Sequence, residues 1–94
     1  MDKEPVTESS GNVFADLGFA QEEAALLTMR AELMACLHKT IVKNGWTQLQ
    51  AAGHLGIGQS RVSDLVRGKW DKFSLDMLVT LATRAGRRVE LTAA

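Results

Sequence analysis

Cysteine occurs once in the chain, at Cys36, so no intramolecular disulfide can form. It lies on a helical pattern beside Leu37, where a small buried hydrophobe is expected rather than a reactive thiol, and a reducing compartment is its natural home. No apolar run approaches a membrane span or has the layout of a signal peptide, so the expectation is a soluble, cytoplasmic protein with no membrane partner. Histidine is scarce as well. His38 and His54 stand far apart with no cysteine or carboxylate cluster at ligand spacing, which argues against a metal site. Gly53, Gly56 and Gly58 do not lie between a strand and a helix, so they form no phosphate loop. Neither an enzyme nor a cofactor is expected. Aromatic residues are few, five in all, and with 94 residues and 46% hydrophobic content the chain has room for one small helical domain.

Net charge is also lacking, but the charges are segregated. Up to Glu32 there are seven acidic residues against Lys3 and Arg30; from Leu33 onward nine basic residues oppose Asp64, Asp71, Asp76 and Glu90. A basic body with an acidic front end is what this pattern describes.

The rest of the chain is organised around residues 48–67, QLQAAGHLGIGQSRVSDLVR, which read as two short helices joined by a tight turn. Thr47 can cap the first helix, with Gln50 completing a capping box. Leu49, Ala51, Ala52 and Leu55 supply its apolar face, and Gly56 stands where a left-handed residue ends it. Ile57 drops into the core, Gly58 takes the next N-cap, Val62, Leu65 and Val66 face inward, and Gly68 closes the second helix. An ordinary helical hairpin wants the same periodicity, but not Ala52, Gly56 and Val62 together. A small residue lets the helices approach, a glycine makes the turn, and a branched residue plugs the wedge.

Before this motif, residues 1–11 carry Pro5, Ser9, Ser10 and Gly11 and read as a tail. The segment NVFADLGF follows, with Val13, Phe14, Asp16, Leu17 and Phe19. Its side chains either fold over the domain as a flap or form a docking segment that orders on a partner. One folded domain, centred on the two-helix motif, is expected over residues 21–94. Residues 21–43 predict one long helix, with Leu26, Met29, Leu33, Leu37 and Ile41 as its buried stripe and Asn44-Gly45 as its end. At about 1.5 Å per residue it spans roughly 35 Å, and its N-terminal turns are left to meet a dimer mate or a partner. After the motif, residues 69–73 predict a loop. Ser74 caps a further helix carrying Leu75, Leu78, Val79, Leu81 and Ala82, and Gly86 ends it. Residues 87–92 alternate polar and apolar, as a strand does. That strand either pairs with its copy across a two-fold axis, through Val89 and Leu91, or is a frayed terminus.

TQLQAAGHLGIGQSRVSDLVRGK resembles the lambda-repressor-like, Xre-type DNA-binding domain, a match covering about residues 46–86. The resemblance implies an all-α, five-helix domain, here with a long N-terminal helix and the short C-terminal strand. It departs from the family pattern at Trp46, where leucine is common, and at Gly58, where serine or threonine commonly caps.

In such a motif the second helix enters the major groove. Base readers are therefore expected at Gln59, Ser60, Arg61, Ser63 and Asp64, with Gln59 suited to adenine and Arg61 to guanine. Ser60 and Ser63 could be merely exposed, and Asp64 could pair with Arg61 or Arg67. Phosphate contacts are expected from Thr47 and Gln48 at a helix start, and from Arg67, Lys69 and Lys72.

Taken along nearly its whole length, the chain resembles small Xre-type antitoxins of the HigA kind. The resemblance implies a homodimer that represses its own operon by binding operator DNA. It also implies neutralisation of a small basic messenger-RNA-cleaving toxin of the RelE superfamily, to which an acidic front end is complementary. A stand-alone repressor, or an interaction module built on a degenerate helix-turn-helix, are the other readings.

Overall fold

Strong helix formers run without proline or glycine from Gln21, and the chain forms a single helix, α1, over Gln21–Asn44. The computed structural model describes Leu17, Gly18 and residues 20–93 of the chain. Three shorter helices follow: α2 (Gln48–Leu55), α3 (Gln59–Val66) and α4 (Leu75–Arg84), with a 3-10 turn at Trp70–Lys72 between the last two. The five-helix arrangement is thus replaced by four α-helices among the described residues, and the loop expected over 69–73 contains that 3-10 turn.

Each helix end has a local cause. The Glu23 carboxylate accepts the Ala20 N–H at 3.3 Å at the start of α1, the half of a capping box that an alanine cap allows. At α2 the box is complete: Thr47 Oγ1 accepts from the Gln50 N–H at 3.1 Å and Gln50 Oε1 accepts from the Thr47 N–H at 2.9 Å. Ser74 Oγ accepts from the Met77 N–H at the start of α4. The C-terminal ends of α1, α3 and α4 close in paired backbone hydrogen bonds around Gly45, Gly68 and Gly86, so that successive N–H groups cover the last carbonyls.

The core is built from Met34, Leu37 and Ile41 of α1, Ala51, Ala52 and Leu55 of α2, Val62 and Leu65 of α3, Phe73, and Leu78, Leu81 and Ala82 of α4. Helix α1 packs chiefly on α4, and α2 on α3. Ala51 and Ala52 are both buried, which lets α3 approach α2 closely, and Ile57 packs against the core from the turn.

Three expectations are corrected here. The buried stripe of α1 is Ala24, Leu27, Met34, Leu37 and Ile41, whereas Leu26 and Met29 are exposed at 44% and 39% and Leu33 is half-buried. Both stripes have helical spacing and share Leu37 and Ile41, but their centres lie about a quarter turn apart, and packing on α3, α4 and the 3-10 turn together selects one of them. Leu49, expected on the inner face of α2, is 68% exposed, because it lies about 120° around the helix from Leu55 and beyond the buried Ala51–Ala52 arc. Finally, residues 87–92 form no strand: Arg87 donates to Ala82 to complete the α4 cap, and beyond it no backbone hydrogen bond joins the segment to the described residues. A strand requires a ladder, and no described residue supplies the second rung. Instead Val89 and Glu90 lie beside the groove between α1 and α4 formed by Met29, Leu33, Leu75 and Val79, while Leu91 is exposed.

No helix among the described residues is long and apolar enough to cross a membrane.

Candidate nucleic-acid interface

Helix α3 turns its apolar side, Val62 and Leu65, wholly into the core, so its opposite side is fixed as the outer surface. At about 100° per residue the outer side centres on Ser60, with Ser63, Asp64 and Arg67 around it and Gln59 at its edge. Gln59, Ser60 and Arg67 are exposed, and Ser63 and Asp64 are half-buried. Four of the five expected base readers therefore share one polar surface. Gly58 starts the helix in extended geometry, φ −71° and ψ 157°, without a side-chain cap for its first N–H groups.

Arg61 is the exception. Its guanidinium carbon lies 4.8 Å from the centroid of the Phe73 ring, and its Nη2 donates to the Lys72 carbonyl at 3.2 Å. Its Nε is buried without a partner among the described residues. The side chain thus leans back along the helix flank, four residues before the buried Leu65, and stacks on a ring that is itself 3% exposed.

The loop after α3 is tied to that helix and to itself by hydrogen bonds. Gly68, at φ +74°, donates to Leu65, and Lys69 donates to the Asp64 carbonyl at 3.0 Å. Lys69, at φ −80° and ψ 73°, makes a tight inverse turn in which Trp70 donates to Gly68. Lys72 and Phe73 then donate to Lys69 and Trp70. The Lys69 ammonium also meets the Asp64 carboxylate at 3.8 Å. Asp64 finds its partner in Lys69, and not in Arg61 or Arg67. The side chains of Arg67, Lys69 and Lys72, all exposed, consequently project from a backbone joined to α3. Phosphate contacts depend on such fixed placement as much as on charge.

Thr47 and Gln48 stand exposed at the start of α2. The Thr47 oxygen accepts the Gln50 N–H, which leaves its hydroxyl proton free to donate outward. No hydrogen bond links these two residues to the α3 surface; they belong to the other helix start of the motif.

Three contacts in and around the motif escape a sequence reading. Trp46 stacks on His54, ring centroids 4.1 Å apart and planes within 13°, bracing the entry to α2 against its last turn. Arg84 of α4 donates to the Leu55 carbonyl at the end of α2. The third is the Arg61–Phe73 stack. All join residues whose separation no short motif spans; only the position of Arg61 four residues before Leu65 hinted at its direction.

Of the expected docking residues, Val13, Phe14, Asp16 and Phe19 lie outside the described residues, and Leu17 is exposed. Among the described residues no group of three or more His, Cys, Asp or Glu side chains could hold a metal ion.

No curated protein matches the chain at a significant level. A family model described as a helix-turn-helix domain matches residues 13–94, a span that takes in α1, the two-helix motif and α4. With the geometry and the match in agreement, the chain belongs to the helix-turn-helix domain family, whose fold is consistent with a DNA-binding regulator.

Proposed function

We propose that this protein is a sequence-specific DNA-binding repressor that acts as a homodimer in the cytoplasm and serves as the antitoxin of a type II, HigBA-like toxin–antitoxin pair. It works by binding and not by catalysis. The observation that carries the DNA-binding part is the outer face of α3: among the described residues Gln59, Ser60 and Ser63 make no side-chain hydrogen bonds, and they stand beside a hydrogen-bonded loop bearing Lys69 and Lys72. Amide and hydroxyl groups read base edges, and the cations hold the phosphates. The test is enrichment of duplexes from a random pool by the full chain, followed by titration at several salt concentrations. A shared enriched sequence, bound more weakly as salt rises, is expected; equal binding to all duplexes would defeat sequence-specific repression.

The antitoxin part is favoured by the N-terminal half of α1. That half buries Ala24 and Leu27 yet exposes Leu26 and Met29, next to Glu22, Glu23 and Glu32. An apolar stripe set among carboxylates suits a basic protein partner. Residues 13–19 and the same stripe are assigned to toxin binding, and Val89 and Leu91 to the dimer. The experiment is co-purification of the tagged chain from its host. Recovery of a small basic protein that arrests growth alone, and is relieved by this chain, is expected. A chain that recovers only its promoter DNA is a stand-alone repressor.

A further inference from the structure

Arg61 is the third residue of the recognition helix, where a long cation invites the role of a base or phosphate contact. Its surroundings point elsewhere. The guanidinium lies over Phe73, Nη2 donates to the Lys72 carbonyl, and Nε is enclosed. Reaching a base would require breaking that hydrogen bond and leaving the ring at once. Each contact falls on the far side of the loop that carries the basic residues. Asp64 holds the near side of the same loop through the Lys69 N–H at 3.0 Å and the Lys69 ammonium at 3.8 Å.

We infer that Arg61 is a positioning residue: it fixes the loop bearing Lys69 and Lys72 to the recognition helix, so that phosphate contacts and base contacts keep one register. This rests on the DNA-binding reading above. Arg61 acts through Lys72 and reads no base. A planar guanidinium is needed because it must stack and donate in the same pose, which an ammonium on a flexible stem does not reproduce.

The experiment uses the full chain and a duplex enriched from a random pool, together with every single-base-pair variant of that duplex. Wild type, R61A, R61K, K72A and R61A/K72A are titrated at several salt concentrations. R61A and R61K are each expected to weaken every duplex by a common factor of roughly tenfold, the scale of one lost charge-assisted contact, with the order of preference unchanged. The salt slope should fall by about 0.9, one phosphate, in R61A and equally in R61K although its charge is kept. K72A should lower it by the same amount, and the double variant by no more. Far-UV circular dichroism and thermal melting establish that each variant is folded. F73L, which keeps an apolar residue in the core and Arg61 intact but removes the ring, should lose the same increment of slope.

Loss of preference confined to one base pair in R61A overturns the inference, since Arg61 would then read that base. So does R61K with wild-type affinity and slope, since any cation would then serve. So does F73L with an unchanged slope. If the wild-type chain binds no duplex, the DNA-binding reading fails and takes this assignment with it, an outcome plainly distinct from the other three.

Discussion

Arg84 Nη1 donates to the carbonyl oxygen of Leu55 at 2.9 Å, joining α4 to the last turn of a helix 29 residues earlier in the chain. That carbonyl is one of those a helix C-terminus leaves without an internal partner, and it lies at the negative end of the α2 dipole. The bond therefore seals α2 at the point where the chain turns toward the recognition helix. R84M, which keeps the apolar stem and removes the donor, is expected to lower stability by about 1 kcal/mol and the melting temperature by roughly 4–8 °C. Urea unfolding of the two proteins side by side measures it, and coincident midpoints would show that the bond contributes nothing.

Gly56 sits beneath the same guanidinium. Its φ is +71°, and a Cβ there would lie 3.1 Å from Arg84 Nη1. G56A thus carries a left-handed backbone cost of about 1–2 kcal/mol and displaces the arginine as well. Its effect should be less than additive with R84M, because each variant disturbs the same bond. Gly58, two residues on, is the opposite case: φ is −71° and nothing lies within 4 Å of an added Cβ. G58S supplies an N-cap oxygen and should raise stability by a few tenths, about 0.3 kcal/mol, in the same unfolding assay.

Where helices begin and end was legible because those decisions are local. Thr47 with Gln50, Ser74, and the glycines at 45, 56, 68 and 86 act within a turn of their own position. Which face of a helix is buried is decided by its neighbours instead. On α1 the stripe through Leu26 and Met29 is as regular as the one through Ala24, Leu27 and Met34, and only the packing of α3, α4 and the 3-10 turn distinguishes them. Leu49 failed for the same reason. The outer face of α3 was readable because Val62 and Leu65 fixed the inner one. The stack of Arg61 on Phe73 was not readable, because Phe73 lies beyond the helix in a turn whose path no periodicity gives. Alternation over 87–92 described a strand's pattern correctly, but pattern alone supplies no ladder.

The two stripes of α1 make a sharp prediction. Leu37 is completely buried, and L37A should cost about 2–5 kcal/mol. L26A/M29A removes more apolar volume in total, yet from exposed positions, and should change stability by less than about 1 kcal/mol. If the antitoxin reading holds, the same double variant loses relief of growth arrest while its affinity for the enriched duplex stays at the wild-type level. Thermal melts, duplex titration and the co-expression assay separate these effects. Retained relief in a folded L26A/M29A protein would remove the exposed stripe from the partner interface.

Asp64 is the one carboxylate on the outer face of α3, and its 3.8 Å pairing with Lys69 sets two roles against each other. The pair is half exposed, so breaking it should alter stability by about 0–1 kcal/mol and serves as a clean probe of binding. If Asp64 only tethers Lys69, then D64N removes a negative charge from a surface that meets phosphates and releases the ammonium, and affinity rises for all duplexes alike. If Asp64 accepts from the amino group of a cytosine, D64N weakens binding at one base pair and leaves other positions unaffected. K69A completes the argument: under the DNA-binding reading it should flatten the salt slope by about 0.9 whichever role Asp64 has, the loss of one phosphate contact. The bond from the Lys69 N–H to the Asp64 carbonyl survives both substitutions, so the loop keeps its place and each titration reports on charge alone. A uniform gain in D64N with a flattened slope in K69A is the expected pair of results, because the carboxylate already has a cation beside it and need not seek a base.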